Sequence, residues 1–263
     1  MDVVTTETSN GVMTITLSDV EGRNTLSRQL LQQLVGAIDE VDENPDIRVA
    51  IVTNAGNVFC AGANLAERSN RDLDEGDTSA VNLAELFQRI QNSFKPFVGR
   101  IAGHCVAGGV GLAAVMDISV AIDTAMFGFT EVRVGVVPAT ISVVCLPKMR
   151  QADAQSSFLR GNRFAADEAV RMGLINQAVP LENLDTTINE IVNDLLAGEP
   201  HAIAVAKQLA LQATSHSHSE AFARMAQLSN ELFASEEAHE GMTAYLEKRP
   251  ASWVSSIKVD QEK

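Results

Sequence analysis

The sequence is poor in basic residues. Among its 263 residues, 20 lysines and arginines stand against 34 aspartates and glutamates, which gives a formal net charge of −14. A field of this sign repels the phosphates of nucleic acids and anionic membrane surfaces, so neither is expected as a main partner. An anionic ligand would need local help from backbone N–H groups or from a few placed cations.

Long apolar runs and targeting signals are also missing. No apolar segment reaches the roughly 20 residues that a membrane-spanning helix needs, and the beginning, MDVVTTETSNG, has the features of neither a secretory nor an import signal. The only three cysteines, Cys60, Cys105 and Cys145, are widely spaced in apolar runs. They are expected to be reduced core thiols, and these features together predict a cytoplasmic globular protein.

Several motifs that would reveal a reaction are absent or weak. There is no G-K-[ST] phosphate loop and no G-x-S-x-G elbow, and Cys60 has no evident base nearby. Two histidines in HSHS at 216–219 diverge on a helix and find no third ligand, so no metal site is expected. The run GVGLAA at 109–114 fits the dinucleotide pattern G-x-G-x-x-A, but its strand lies mid-chain and Asp117 is too close, which disfavours nucleotide binding.

Strand and helix patterns do alternate over the first two thirds of the chain. VMTITLS (Val12–Ser18) and RVAIVTN (Arg48–Asn54) read as strands, with a helical pattern between them behind a Ser27 cap. A helix at 80–94, a strand at 96–103, a short apolar helix after residue 109 and a strand at 117–122 follow. This alternation predicts an α/β domain with largely parallel strand pairing.

The last part of the chain has helical patterns only. We therefore expect a core at 1–195 and a helical region at 196–263 that packs on the core or on another subunit. The polar stretch at 66–80 is either an exposed loop or a mobile flap beside a site.

Two turns rich in small residues carry the first functional signal. VFCAGANL (Val58–Leu65) and CVAGGVG (Cys105–Gly111) each follow an apolar run. Two strand-to-helix turns of this kind can each direct one backbone N–H into a shared cleft, which is what an oxyanion hole requires. The helix N-termini behind them add positive partial charge.

Six segments in order resemble signatures of the crotonase superfamily, the enoyl-CoA hydratases and isomerases. They are GRNTLS, VFCAGANL, KPFVGRIAGHCVAGGVGLAAVMDISVA, MFGFTEVRVGVVP, GNRFAADEAVRMGLINQAV and EGMTAYLEKRPASW, so the resemblance runs from Gly11 to Trp253. It implies a spiral of strand, strand, helix units followed by a helical region that builds homotrimers, commonly paired into hexamers. It also implies an acyl-CoA thioester as ligand and no separate cofactor, because coenzyme A enters as part of the substrate.

The resemblance assigns roles to particular residues. Ala63 and Gly108 match the two oxyanion donors, and Glu131 matches one of the two glutamates that hydratases use. The positions expected to contact the coenzyme are Ala61, Asn64, Leu65, Tyr245 and Lys248, the last two from a neighbouring subunit in some members.

The other hydratase glutamate falls at Gly111, where no carboxylate is available. Adding water across a double bond needs one group to activate water and another to supply a proton. One carboxylate still suffices to move a proton from C2 to C4 of a 3-enoyl-CoA, so an isomerase is favoured. The alternatives are a hydratase whose missing glutamate comes from elsewhere, such as the 66–80 stretch, and a non-catalytic acyl-CoA-binding protein. A useful Glu131 would have a raised pKa, and the apolar neighbours expected to raise it are Phe127, Phe129, Val132 and Val134.

Overall fold

The computed structural model describes residues 2–69, 82–212 and 218–255. Its larger sheet has the order β1-β2-β3-β5-β7-β10, and its strands are β1 (Val4–Ser9), β2 (Val12–Leu17), β3 (Val49–Asn54), β5 (Phe97–Ile101), β7 (Ile118–Ile122) and β10 (Gln177–Val179). Only the β1–β2 hairpin is antiparallel; the other neighbours pair in parallel, as predicted. Asn10 and Gly11 both have positive φ at the hairpin turn, which matches the right-handed twist of the strands it joins.

A smaller sheet runs beside it in the order β4-β6-β8-β9. Its strands, each of three residues, are β4 (Val58–Cys60), β6 (His104–Val106), β8 (Met126–Gly128) and β9 (Arg163–Ala165). The first three are mutually parallel, and β9 is antiparallel to β8. Because β4, β6 and β8 directly follow β3, β5 and β7 in the chain, the strand, strand, helix repeat expected from the resemblance is confirmed.

The helices within the described ranges cover both faces of this framework. They are α1 (Arg28–Glu43), α2 (Leu65–Ser69), α3 (Leu83–Asn92), α4 (Gly108–Val115), α5 (Ala139–Cys145), α6 (Gln151–Arg160), α7 (Ala166–Arg171), α8 (Leu181–Ala197), α9 (Pro200–Gln212), α10 (His218–Phe233), α11 (Glu236–Glu247) and α12 (Ser252–Ser255). The predicted Ser27 cap of α1 is confirmed, because the Ser27 hydroxyl accepts from the N–H of Leu30 at 3.2 Å.

Helix α4 lies at the centre of the core. All of its residues are buried, which fits its composition of glycine, alanine, valine and leucine. Helix α8 covers the opposite face of the larger sheet, where Leu184, Ile188 and Val192 form an apolar cluster with the outward side chains of β3, β5 and β7. Both faces of the parallel strands are thus covered, as parallel sheets require.

The C-terminal region is helical, as predicted. The expected boundary at 195/196 falls inside α8, and the division into two domains stays a prediction. The indole N–H of Trp253 donates to the Ala197 carbonyl at 3.0 Å, and Arg48 donates to the carbonyls of Trp253 at 3.2 Å and Gly198 at 2.5 Å, so α12 is tied to α8 and to the core. No helix of the described residues is long and apolar enough to cross a membrane.

The polar stretch at 66–80 was expected to be a loop or flap. Its first residues instead belong to α2, while 70–80 lie outside the described residues.

Candidate active site

Three parallel strands of the smaller sheet end at one edge. Strand β6 lies between β4 and β8, with Cys105 paired to both Cys60 and Phe127. The carboxyl ends of parallel strands meet at the same edge of a sheet, which is where α/β proteins commonly build their sites. The segments that follow these ends are 61–64, 107–108 and 129–131, so three predicted site regions meet here.

The turn after β4 depends on Gly62. Its φ of +83° favours glycine, and a Cβ placed on it would lie 2.8 Å from the Val106 carbonyl oxygen and 3.1 Å from the Gly108 nitrogen. The Gly62 carbonyl accepts from the N–H of Leu26 at 2.8 Å, which fixes the turn from its other side. The two glycine-bearing turns are therefore in direct contact, as predicted.

The turn after β6 holds a strained residue. Ala107 has φ +50° and ψ −120°, a conformation that non-glycine residues rarely adopt. Its N–H donates to the Gly128 carbonyl at 2.8 Å and thereby ties the turn to β8. Helix α4 then begins at Gly108, while Gly109 lies so close to β4 that a Cβ there would be 2.1 Å from the Cys60 carbonyl oxygen.

Two backbone N–H groups are left unused at this edge. Within the described ranges, neither Ala63 nor Gly108 donates its N–H to a protein acceptor. For Gly108 the reason is its place in the first turn of α4, where N–H groups have no acceptor within the helix. Two unused donors beside a helix N-terminus can accommodate a developing negative charge on an oxygen atom. Ala63 and Gly108 as oxyanion donors stay a prediction that this geometry supports.

Glu131 opens a 3₁₀ helix at Glu131–Val134, shortly after β8 ends. Burial raises the pKa of its carboxyl above the ordinary value, and a hydrogen bond from its own backbone N–H offsets part of that rise. Its Oε2 atom is buried and has no hydrogen-bond partner among the described residues. A carboxylate of raised pKa with an open acceptor is suited to taking up a proton.

Four apolar neighbours were expected to raise the pKa of Glu131. Phe127 and Phe129 are fully buried, Val132 is half-buried and Val134 is 55% exposed. That these side chains enclose the carboxyl stays a prediction. The thiol of Cys145, at the end of α5, was not predicted to lie here: burial raises its pKa, and the charge of Glu131 raises it further.

Gly111 lies one turn of α4 beyond Gly108, and the space beside it is filled. A Cβ placed on Gly111 would lie 2.5 Å from Cγ2 and 2.8 Å from Cβ of Ile141, and 2.9 Å from Cζ of Phe87. The carboxylate missing from the sequence is thus replaced by two apolar side chains from α5 and α3. Sequence reasoning missed both, since each reads as an ordinary core residue.

The predicted coenzyme-contacting residues after β4 are at the same edge. Ala61 is half-buried, its N–H donating to the Arg23 carbonyl at 3.2 Å, and Leu65 is exposed. The side-chain oxygen of Asn64 accepts from the N–H groups of Ala66 at 3.1 Å and Glu67 at 3.3 Å, so it caps α2. The predicted contacts of these residues with the coenzyme remain untested.

Tyr245 and Lys248 lie elsewhere, at the end of α11. Tyr245 is 84% exposed, and Lys248 closes the helix in the left-handed conformation with its N–H on the carbonyls of Ala244 and Tyr245. No hydrogen bond joins either side chain to the strand-end site in the described part of the chain. Their contact with a coenzyme, from this chain or from a neighbouring subunit, stays a prediction.

A cleft of about 780 Å³ lies at the other end of α4. On its wall the ammonium of Lys207 pairs with Asp117 at 3.0 Å and donates to the carbonyls of Ile90 at 2.8 Å and Lys95 at 2.9 Å. All three ammonium protons are therefore used in tying α9 to the core. The predicted residues Ala63, Gly108 and Glu131 follow the strand ends and do not line this cleft.

Comparison with known proteins agrees with the resemblance. The enoyl-CoA hydratase/isomerase family model matches residues 7–256. A Thermus thermophilus protein that carries an enoyl-CoA hydratase name is 32% identical over 243 residues, covering 91% of this chain and 96% of that protein. Enoyl-CoA hydratase EchA19 of Mycobacterium tuberculosis is 31% identical over 241 residues, covering 89% of this chain and 90% of that protein.

Solved structures show the same architecture. The human enoyl coenzyme A hydratase domain-containing protein 3 superposes with a TM-score of 0.89 at 25% identity, covering 95% of this chain and 100% of that chain. An enoyl-CoA hydratase of Mycobacterium smegmatis superposes with a TM-score of 0.88 at 26% identity, covering 96% and 99%. The crotonase fold predicted from the sequence is thereby confirmed.

Proposed function

The chain belongs to the enoyl-CoA hydratase/isomerase family and is an enzyme of the crotonase superfamily, and from this premise we propose that it isomerises 3-enoyl-CoA thioesters to 2-enoyl-CoA thioesters. The observation that carries this proposal is the pair of positions 131 and 111. Glu131 is a half-buried residue with a buried Oε2 atom and a raised carboxyl pKa, whereas the position of the second hydratase glutamate is Gly111, packed against carbon atoms. Hydration needs two acid–base groups and this proton transfer needs one.

The proposed reaction uses only groups of this chain. The thioester oxygen binds between the N–H groups of Ala63 and Gly108. The Glu131 carboxylate takes a proton from C2, which gives a dienolate whose negative charge rests largely on that oxygen. The carboxyl then returns the proton to C4, so the double bond moves from C3–C4 to C2–C3 and Glu131 is again ionised. Each well-placed donor typically lowers the barrier by about 3 kcal/mol.

The competing candidate is an enoyl-CoA hydratase in acyl-CoA degradation, and the names of the relatives favour it. It would need a second carboxylate. The acidic stretch at 66–80 was expected to be its source, and most of that stretch lies outside the described residues.

Both candidates are tested with purified protein, 3-enoyl-CoA and 2-enoyl-CoA of several chain lengths, and the isosteric variant Glu131→Gln. The control is Glu182→Gln, an exposed glutamate in the first turn of α8. We expect isomerisation by the wild type and by the control, and a loss of about 10² or more in Glu131→Gln, the usual weight of a positioned acid–base group. Fast hydration that survives Glu131→Gln would refute the proposal, and so would tight acyl-CoA binding without turnover.

We further propose that the chain forms homotrimers or dimers of trimers, as the family resemblance implies. Support comes from the exposed large apolar side chains in the segment 134–146, because exposed apolar surface often marks an interaction site. They are Val134, Val136, Val137, Val143 and Leu146. Light scattering on the purified protein checks the mass, and a monomer at micromolar concentration would contradict the proposal.

A further inference from the structure

We propose that Phe87 and Ile141 determine which reaction the site performs. They fill the volume beside Gly111, and so keep both water and a second acid–base group away from the acyl carbons. The inference rests on the proposed isomerase function and adds to it the residues that enforce it. Neither residue was identified from the sequence.

The face of α4 that begins at the donor Gly108 packs against apolar side chains. Gly108 and Gly111 are three residues apart and share a helix face. A Cβ on Gly108 would lie 2.6 Å from Cδ1 of Leu26 and 3.6 Å from Cδ2 of Leu83, and one on Gly111 would lie 2.9 Å from Cζ of Phe87. Leu83 and Phe87 are four residues apart on α3, so an apolar stripe of α3 runs along this face, inward from the oxyanion donor.

Ile141 closes the same volume from α5. Its Cγ2 and Cβ would lie 2.5 Å and 2.8 Å from a Cβ at position 111. The Cβ of a helical residue is fixed by its backbone, so a rotamer change of Ile141 relieves the first contact but not the second. A glutamate at 111 therefore needs a much smaller residue at 141 or a displaced α5.

The surroundings of Gly111 disfavour a buried water molecule. A buried water needs two to four polar partners, and beside Gly111 the nearest atoms are the carbons of Ile141 and Phe87, both only 3% exposed. The other end of α5 carries Cys145, whose thiol is close enough to feel the charge of Glu131. Helix α5 thus supplies Ile141 to the apolar wall and ends at a thiol whose pKa responds to the charge of Glu131.

The test removes part of the apolar wall formed by Phe87 and Ile141 and measures whether water then reaches the reacting carbons. Ile141→Ala is compared with Val144→Ala, a similarly buried residue of α5 that is not among the atoms nearest Gly111. Reactions in D₂O give two readouts, namely the deuterium incorporated at C4 of the isomerised product and the ratio of hydrated to isomerised product. We expect Ile141→Ala to raise the incorporation severalfold, because water can then reach the site, and to leave the ratio low, because hydration still lacks its second acid–base group. Val144→Ala should leave both at wild-type values.

A second pair of variants tests the steric step. Gly111→Glu alone should lose stability and gain no hydration, whereas Gly111→Glu combined with Ile141→Gly should hydrate 2-enoyl-CoA faster than either single variant. The inference is overturned if Gly111→Glu alone hydrates as fast as the double variant, or if Ile141→Ala leaves the deuterium incorporation unchanged while circular dichroism shows it folded. If Ile141→Ala does not fold, Phe87→Leu replaces it, since it removes the Cζ atom that lies nearest Gly111 on α3, and unchanged incorporation in that folded variant likewise overturns the inference.

These outcomes are separate from a failure of the proposed function. That function fails if the wild type shows no isomerisation that depends on Glu131, a result obtained before any wall variant is made. If the wild type isomerises and the wall variants behave like Val144→Ala, only the present inference falls.

Discussion

Replacing Gly111 with alanine should destabilise the protein relative to the same replacement at Gly36. Both glycines lie inside helices, Gly111 in α4 and Gly36 in α1. A Cβ on Gly36 would have no atom within 4 Å, whereas one on Gly111 would have three atoms within 2.9 Å, in Ile141 and Phe87. The pair therefore separates the helix preference of alanine from the contact at the proposed wall.

The magnitudes follow from two opposing effects. Alanine is more favourable than glycine inside a helix by about 1 kcal/mol, so Gly36→Ala should be more stable than the wild type by up to that amount. Gly111→Ala has the same gain, but forcing a methyl group into a packed core typically costs about 1–3 kcal/mol. The free energies of unfolding of the two variants should thus differ by about 1–3 kcal/mol, which for a chain of this size corresponds to roughly 2–12 °C in Tm.

The assay is urea unfolding of both variants and the wild type at one protein concentration, because association also affects apparent stability. The slope of the free energy against urea should stay the same, with only the midpoints moving. If the midpoint of Gly111→Ala rises as far as that of Gly36→Ala, the space beside Gly111 is open. The steric reasoning behind the proposed wall would then be wrong.

Other predictions concern Glu131, the turn at Gly62 and the ion pair between Lys207 and Asp117. The isomerisation kcat/KM should fall as the pH drops through the raised pKa of Glu131, because the base must be ionised, and a pH–rate profile of Glu131→Gln should lack this limb. Burial also disfavours the ionised form of Glu131 in the folded state. The free energy of unfolding therefore falls as the pH rises from the unfolded-state pKa to the raised pKa of the folded state. Urea midpoints of Glu131→Gln should therefore exceed those of the wild type at neutral pH and converge below about 4.3, the unfolded-state pKa. Gly62→Ala should lower the free energy of unfolding by more than about 1 kcal/mol and also kcat, since the residue has positive φ and faces the Val106 carbonyl. Lys207→Met should cost about 3 kcal/mol in urea unfolding because it removes the ammonium paired with Asp117 and leaves that carboxylate bonded to the N–H of Phe97, and adding Asp117→Asn should recover part of that loss.

The long strands of the larger sheet could be predicted from the sequence because the pattern of their own residues is enough to indicate a strand. Strands β2 and β3 each carry six residues with an alternating or fully buried pattern, which is long enough to show a period. Strands β4, β6 and β8 have three residues each and no readable period. Their existence was implied by the family resemblance and not by their own residues.

The candidate site was predictable to a similar degree. Small residues after strands indicate where backbone approaches backbone, so the two turns VFCAGANL and CVAGGVG were singled out, and the close approach of Gly62 to Gly108 is observed. The roles of Ala63 and Gly108 came from the family resemblance. The capping role of the Asn64 side chain was missed because α2 is a five-residue helix inside a polar stretch. What fills the space at Gly111 could not be read from the sequence at all, since it depends on how α3 and α5 pack against α4.

Overall similarity to hydratases and isomerisation as the proposed reaction are therefore compatible. The fold, the strand-end edge and the two small-residue turns serve any reaction that develops negative charge on a thioester oxygen, and these features make up most of the matched sequence. The choice between adding water and moving a proton depends on a far smaller region, the volume between Gly111, Phe87 and Ile141. A hydratase active site would need a carboxylate and a water molecule in that volume, and here it holds a phenyl ring and a branched aliphatic side chain. A change of reaction within this fold then requires coordinated changes on α4 and α5, because a glutamate on α4 is accommodated only after the side chain on α5 has become smaller.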